Sequence, residues 1–457
     1  MARSSPLERV RIDLAIRGGQ VVTRGGTVRA DLGVQDGRIA AIGEVPRAEE
    51  ELDATGKLVL PGCVDLHTHL ASTPTFTPLD DFEHGTRAAI AGGVTTVCSM
   101  VYQDGTLRAG IERGLRDAQR SLADFAFHVV VTDPNDAAIG ELPSLARDGH
   151  TSLKVFMVAP RFDERITDYV RLLRGAAGAG MLVAVHAEDH AVVARSTAAL
   201  HAAGREEVRY FPESRPPEAE DVALRSASQL AAKTGAAMYF VHLSSRLAIA
   251  ALGEAKARGL RVYGETRPLY LYLTRARFER PDAALWVGQP PLREQDDVDA
   301  MWQALRDGLI DTVGTDHYPH TRAAKLAPGL AFDRVPPGVA NLETLLPMLY
   351  SEGVRRGRLT LERMVDVLAT APARIAGLRG KGEIVVGNDA DVVIFDPERT
   401  RTIRASEMHS ACDYDPFDGW EVTGWPTLTL LRGQTAYAEG EIRALPGQGR
   451  LVLRRSM

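Results

Sequence analysis

The sequence predicts an α/β chain: a (β/α)8 barrel of the TIM type, with a small β-sandwich domain formed by both chain ends. Three observations predict it. Eight apolar, strand-like runs alternate with Ala-, Arg- and Glu-rich helical runs through the middle of the chain. Short β-rich runs punctuated by Gly turns occupy both ends with the same texture. Histidines, a lysine and an aspartate fall at the C-terminal ends of the strand-like runs, where barrels of this kind place their chemistry.

The first segment, residues 1–58, contains "IDLAIRGGQVVT", "TVRADLGVQDGRIAAIG" and "ELDATGKLVLPG", which are β-rich runs separated by Gly and Asp-Gly turns. The barrel is expected over 59–375. Its strands are read at Cys63–Leu66, Val94–Cys98, Ala126–Val131, Ser152–Phe156, Leu182–Val185, Met238–Val241, Leu260–Tyr263 and Thr312–Thr315. "DDFEHGTRAAIAGG", "TLRAGIERGLRDAQRSLA", "PPEAEDVALRSASQLAAKTG" and "SRLAIAALGEAKARG" are the helical intervals between them. The last segment, 376–457, returns to short strands: "GEIVVGNDADVVIFDP", "PTLTLLRGQTAYAEGEI" and "GRLVLRR". Both ends together are expected to build the sandwich.

Composition bounds the function. A chain of 457 residues with 45% hydrophobic and 25% charged residues fits one large domain plus a smaller one. The net charge of −6 leaves no basic footprint, which argues against nucleic-acid binding. No apolar run is long enough to span a membrane. The opening residues lack the apolar core of a secretory leader. Cys63, Cys98 and Cys412 are scattered and odd in number, which fits a reducing, cytoplasmic location.

The strand ends carry the chemistry. Strand one ends in His67 and His69, which alternate along a strand and so share a face. Strand four carries Lys154, strand five ends at His186, strand six at His242 and strand eight at Asp316. Imidazole nitrogens and carboxylate oxygens suit zinc and neighbouring divalent metals. One metal takes His67, His69 and Asp316; a second takes His186 and His242; each is short of a ligand. Lys154 sits in the middle of an apolar strand of a lysine-poor chain. One reading is that it reaches solvent past the strand end or pairs with a carboxylate. The other is that burial keeps its amine neutral, CO2 converts it to a carbamate, and the resulting N6-carboxylysine bridges the two metals.

With these residues in place, the chain resembles the cyclic amidohydrolases of the amidohydrolase superfamily: dihydropyrimidinases, hydantoinases, allantoinases and dihydroorotases. "PGCVDLHTHL", "SLKVFMV", "VHAED", "YFVHLSS", "VYGET", "PPLRE" and "GTDHYPH" carry the resemblance. "DDFEHGTRAAIAGGVTTV" and "RPPEAE" are most similar to the dihydropyrimidinase/hydantoinase branch. The resemblance implies a barrel with a small sandwich, two zinc ions, a carboxylated Lys154 and a homodimer or homotetramer. His67, His69, His186, His242 and Asp316 match the family's metal positions one by one. The substrate side departs from the family. Ala71 stands where dihydroorotases carry an Arg for the substrate carboxylate. Ala159 stands where dihydropyrimidinases have a Tyr at the oxyanion and ring. Gln289 replaces a common Ser, and Pro337 falls near a common Asn. Gln289, Ala159 and Pro337 are therefore the substrate-binding positions to follow.

The implied reaction opens a small cyclic amide or imide, hydantoin- or dihydropyrimidine-like, with a hydroxide bridging two divalent metals as nucleophile and Asp316 as the catalytic proton carrier. The alternatives are an allantoinase- or dihydroorotase-type ring hydrolase and an amidohydrolase acting on exocyclic or isopeptide bonds. A non-catalytic scaffold of the same fold stands further off, since no ligand position is lost. Glu265 and Thr266 end strand seven and face the mouth in supporting roles; Asp65 is read as structural; Phe156 and Met157 are read as core, with a pocket wall as the alternative; His317 and His320 are read as pocket-facing or structural.

Overall fold

The computed structural model describes residues 11–23 and 25–456. The first ten residues, which belong to the stretch read for a leader, lie outside that range.

Eight parallel strands, each bonded to the next in chain order, form the central sheet. They are β1 (Cys63–Thr68), β2 (Val94–Tyr102), β3 (Asp124–Val130), β4 (Ser152–Phe156), β5 (Leu182–His186), β6 (Ala237–Phe240), β7 (Val262–Thr266) and β8 (Thr312–Val313). The last strand is short, so the seam back to β1 closes by other means. Thr68 bridges to His317, and the His69 amide donates to the His317 carbonyl at 3.0 Å. Asp65 accepts from the amides of His67 (3.0 Å) and Thr315 (3.2 Å), which pins β1 to the end of β8 from inside.

The helical intervals fold as helices on the outside. Phe82–Ala91 starts on Asp81, whose side chain accepts from the His84 amide, and buries Phe82, Ala88 and Ala89. Pro217–Thr234 ends on Gly235 at φ 74°, a left-handed turn that glycine adopts without steric penalty. Alternation along β4 sets the two faces: Leu153 and Val155 join the apolar layer shared with the helices, so Lys154 and Phe156 face the barrel interior.

The chain ends form two sheets. One has four strands, all N-terminal: Leu14–Arg17, Asp31–Gln35, Arg38–Gly43 and Glu50–Asp53. The other has seven and draws on both ends, with Leu58–Pro61 paired antiparallel to Val392–Thr402. Leu14, Ile16, Val34, Val59, Val392 and Leu430 pack between the sheets. Lys381 fastens this unit to the barrel: its Nζ donates to Asp391 (2.7 Å) and to Asp124 of β3 (2.6 Å), and forms an ion pair with Asp389 at 3.0 Å.

Three expectations are corrected. β2 runs on to Tyr102 instead of stopping at Cys98, because all its residues up to Val101 are buried and the ladder with β3 continues. β7 begins at Val262 and not at Leu260, and it runs past Tyr263 to close on Glu265 and Thr266, which are paired inside the barrel as their place at the strand end predicted. "GRLVLRR" is not a sandwich strand. It runs along the N-terminal end of the barrel, where the Phe125 amide donates to Arg450 and the Arg454 amide to Gly149.

Candidate active site

The strand ends bring His67, His69, Lys154, His186, His242 and Asp316 around one cavity of about 160 Å3. Gln289 and Pro337 line it as well; Ala159 does not, and instead precedes the short helix Pro160–Glu164. Tyr102, Phe156, Tyr318 and Gly338 complete the wall. Four other clefts, of about 460, 470, 330 and 250 Å3, are larger, but none of them is lined by a histidine. Convergent chemistry, not size, marks the smaller cavity.

His67, His69 and Asp316 each bring a ligand atom within 4.8 Å of the others. His67 is aimed by Glu265, whose Oε1 lies 2.7 Å from its Nδ1. The Tyr239 hydroxyl and the His242 amide also donate to Glu265. Burial pushes that carboxyl up to about 7, and these donors work the other way. A Cβ at position 314 would lie 2.4 Å from Glu265 Oε2, so only Gly314 leaves the carboxylate its place. With its Nδ1–H donated to Glu265, His67 turns the Nε2 lone pair toward the cavity, 3.2 Å from Asp316 Oδ1. His69 Nε2 lies 3.1 Å from the same oxygen. Two acceptors at that distance repel unless a proton or a cation lies between them.

Burial holds His67 and His242 well below the usual imidazole range, so both are neutral and fit to ligate. Burial works to raise the Asp316 carboxyl, but the Arg267 guanidinium and the His67 and His69 rings outweigh it and keep it ionised. Arg267 is fully buried and donates to Asp316 Oδ2 at 2.8 Å. His242 and Asp316 both adopt left-handed backbones, φ 45° and 50°, uncommon for residues with a side chain.

The second histidine pair is different. The His186 and His242 rings meet edge to face at 4.5 Å, and among the described residues no third His, Cys, Asp or Glu closes a triad with them. His186 Nε2 is occupied by Glu188 Oε2 at 2.6 Å, which leaves Nδ1 as its free ligand atom. Burial would raise the Glu188 carboxyl, yet Arg215 and His186 bring it down to about 2. Beside this incomplete pair lies Lys154. Its Nζ is buried, has no hydrogen-bond partner and sits 5.1 Å from the Phe156 ring centroid. Burial pushes its pKa down to about 8. Neither the solvent reading nor the carboxylate reading of Lys154 therefore holds.

A second acidic triad, Asp124, Asp389 and Asp391, also has ligand-like spacing, but the Lys381 ammonium is its cation. Asp65 is the brace described above. His317 is structural: its Nε2 pairs with Asp80 at 2.7 Å and its Nδ1 accepts from Asn341. His320 stands behind the wall, its ring against Tyr318 and its Nε2 3.1 Å from the Pro337 carbonyl. Phe156 lines the cavity, while Met157 is core. Lys325, buried, donates to the carbonyls of Val287 (2.8 Å) and Gly338 (2.6 Å), tying together the two loops that present Gln289 and Pro337. Tyr102, Arg267, Glu188, Arg215 and Lys325 escaped sequence reasoning. Only Tyr102 left a signal, as the last residue of the run that continues past Cys98.

Known proteins resemble this chain over nearly its whole length. The amidohydrolase family pattern matches residues 58–436. A D-hydantoinase of Ralstonia pickettii is 38% identical over 456 residues, covering 97% of this chain and 99% of that protein. The structure of a D-hydantoinase from a Bacillus species superposes with a TM-score of 0.93 at 37% identity, over 97% of this chain and 100% of that one. A dihydropyrimidinase structure from Brevibacillus agri gives 0.91 at 37% identity, over 97% and 99%.

Proposed function

Because the chain belongs to the amidohydrolase family, we propose that it hydrolyses the amide or imide bond of a small ring, hydantoin- or dihydropyrimidine-like. One observation carries this reading: a lysine amine, buried without a partner, lies where two histidines lack an anionic ligand. The donor set fits two divalent cations, zinc foremost. His67, His69 and Asp316 would hold one, His186 and His242 the other, and a carbamate on Lys154 would supply both with an oxygen. When bound, the metals make a water acidic enough to attack at neutral pH and polarise the amide carbonyl.

The chain's own groups do the rest. Asp316, kept ionised by Arg267, takes the proton of the attacking water and passes it to the ring nitrogen as the C–N bond breaks. Glu265 keeps the His67 proton on Nδ1. Gln289 and the Pro337–Gly338 backbone face the ring, and Phe156 and Tyr318 wall it from bulk water. We read the enzyme as a cytoplasmic homodimer or homotetramer; its three cysteines are buried and free, which suits a reducing compartment.

Protein supplied with zinc and bicarbonate is assayed on dihydrouracil, hydantoin, a 5-substituted hydantoin, allantoin, dihydroorotate and a cyclic imide. Turnover of the hydantoins or dihydrouracil is expected, with two metals per chain by elemental analysis and loss of both in Lys154→Ala. Protein that holds two metals and opens no ring would refute the assignment.

A further inference from the structure

Ala159 contributes no polar atom to the cavity, yet the site is not without a phenol. β2 ends at Tyr102, and Tyr102 lines the same cavity as His67, Lys154 and Asp316. Its direction follows from the strand. Val97 and Val101 face the helix layer, so Cys98, Met100 and Tyr102 face the barrel interior.

The backbone beneath the ring is held on three sides. The Tyr102 carbonyl accepts from Arg113 Nη2 at 2.6 Å. The next amide, of Gln103, donates to the Val130 carbonyl at 3.0 Å. Gly110 packs so closely that a Cβ there would lie 2.3 Å from the Tyr102 carbonyl oxygen. So fixed a base holds the root of the side chain in place at the cavity wall. Tyr318 and Asp316 line the same cavity, and among the described residues no side chain is hydrogen-bonded to the Tyr102 hydroxyl. A phenol carries its proton at neutral pH, so Tyr102 enters the cavity as a hydrogen-bond donor.

Tyr318 reaches the cavity differently. Its ring lies 5.0 Å from that of His69 and edge-on to His320 and Phe76, so it is packed as a wall. Among the described residues, the Lys154 amine is the only other side-chain donor on the β2–β4 side of the cavity wall, and in the ring-hydrolase reading it is committed to the carbamate.

We propose that Tyr102 is a catalytic residue of this chain, its phenol donating a hydrogen bond to the carbonyl oxygen of the ring as that oxygen gains negative charge. The inference rests on the ring-hydrolase reading and deepens it. A donor aimed at the developing oxyanion acts on the transition state more than on the bound ground state.

Tyr102→Phe removes one oxygen atom and leaves the packing of the ring in place. On whichever cyclic amide the wild-type protein opens, kcat is expected to fall about 100-fold, the usual effect of losing one oxyanion donor. KM is expected to stay within about threefold, as is the Kd of the same ring for metal-stripped protein measured by calorimetry; bound metal is unchanged. An active wild type matched by Tyr102→Phe within twofold in kcat overturns this inference alone. So does an equal loss in Kd and kcat/KM with kcat unchanged, which would make Tyr102 a binding contact. A wild type that opens no ring overturns the ring-hydrolase reading and this inference with it.

Discussion

Lys381→Met tests how the barrel and the terminal sheets are held together. Lys381 is nine-tenths or more buried, and its ammonium contacts Asp124, Asp389 and Asp391. Methionine preserves much of the volume and removes the charge. Two arginines then remain beside the three carboxylates, Arg432 paired with Asp124 and the more exposed Arg38 with Asp389, and neither pairs through its side chain with Asp391. Breaking a buried ion pair from one side costs about 3–5 kcal/mol. An unfolding entropy of about 2.1 cal/mol/K per residue gives a chain of 457 residues about 1 kcal/mol/K. The melting temperature should therefore fall by about 3–5 °C at pH 7. The pH dependence has a definite sign. Burial already raises the Asp391 carboxyl while Lys381 opposes it. Without Lys381 the folded-state value rises further above the unfolded one. A raised carboxyl contributes stability below its unfolded pKa and loses it as pH climbs through the folded pKa. The deficit of the variant should hence be smaller at pH 5 than at pH 7. Melting followed by circular dichroism at both values decides it. A drop below 1 °C at pH 7, or an equal drop at both, would refute the reasoning.

Other expectations follow from the same site. Glu265→Gln should weaken zinc binding by about 10- to 100-fold, read by chelator competition, because the carboxylate that aims His67 is lost; an affinity within twofold of wild type counts against that role. Metal-free protein in 13C-bicarbonate should show a carbamate carbon signal that grows from pH 6.5 to pH 9, since the Lys154 amine, at about 8, becomes neutral over that range. The signal should vanish in Lys154→Ala, and a signal that shrinks with rising pH would refute the neutral-amine argument. Lys325→Met should raise KM about tenfold with little change in bound metal, because the loops carrying Gln289 and Pro337 lose their common tie. A KM within twofold would show that the Gly338–Val287 backbone bond suffices.

Periodicity alone determined much of this protein. A repeat of two places Lys154 and Phe156 on one face and Leu153 and Val155 on the other, whatever the rest of the chain does. Apolar runs spaced by amphipathic helices leave few architectures open, and in a parallel barrel every strand end points to one mouth. His67, His69, Lys154, His186, His242 and Asp316 could thus be assembled before any coordinates, and the structure gathers them around one cavity.

Contacts between distant residues belong to the tertiary structure. Nothing local tells Glu265 that its partner is His67, 198 residues away, or Asp124 that its partner is Lys381, 257 residues away. Burial decides the rest: it makes the Lys154 amine partnerless, sets Arg267 against Asp316 and turns the Tyr102 phenol into the cavity. "GRLVLRR" shows the limit most plainly. Its alternation suits a sandwich strand, but the free edge available to it was the N-terminal end of the barrel, beside Phe125 and Gly149. Pattern states what a segment is able to bury and bond; only the assembled fold states which surface is there to receive it.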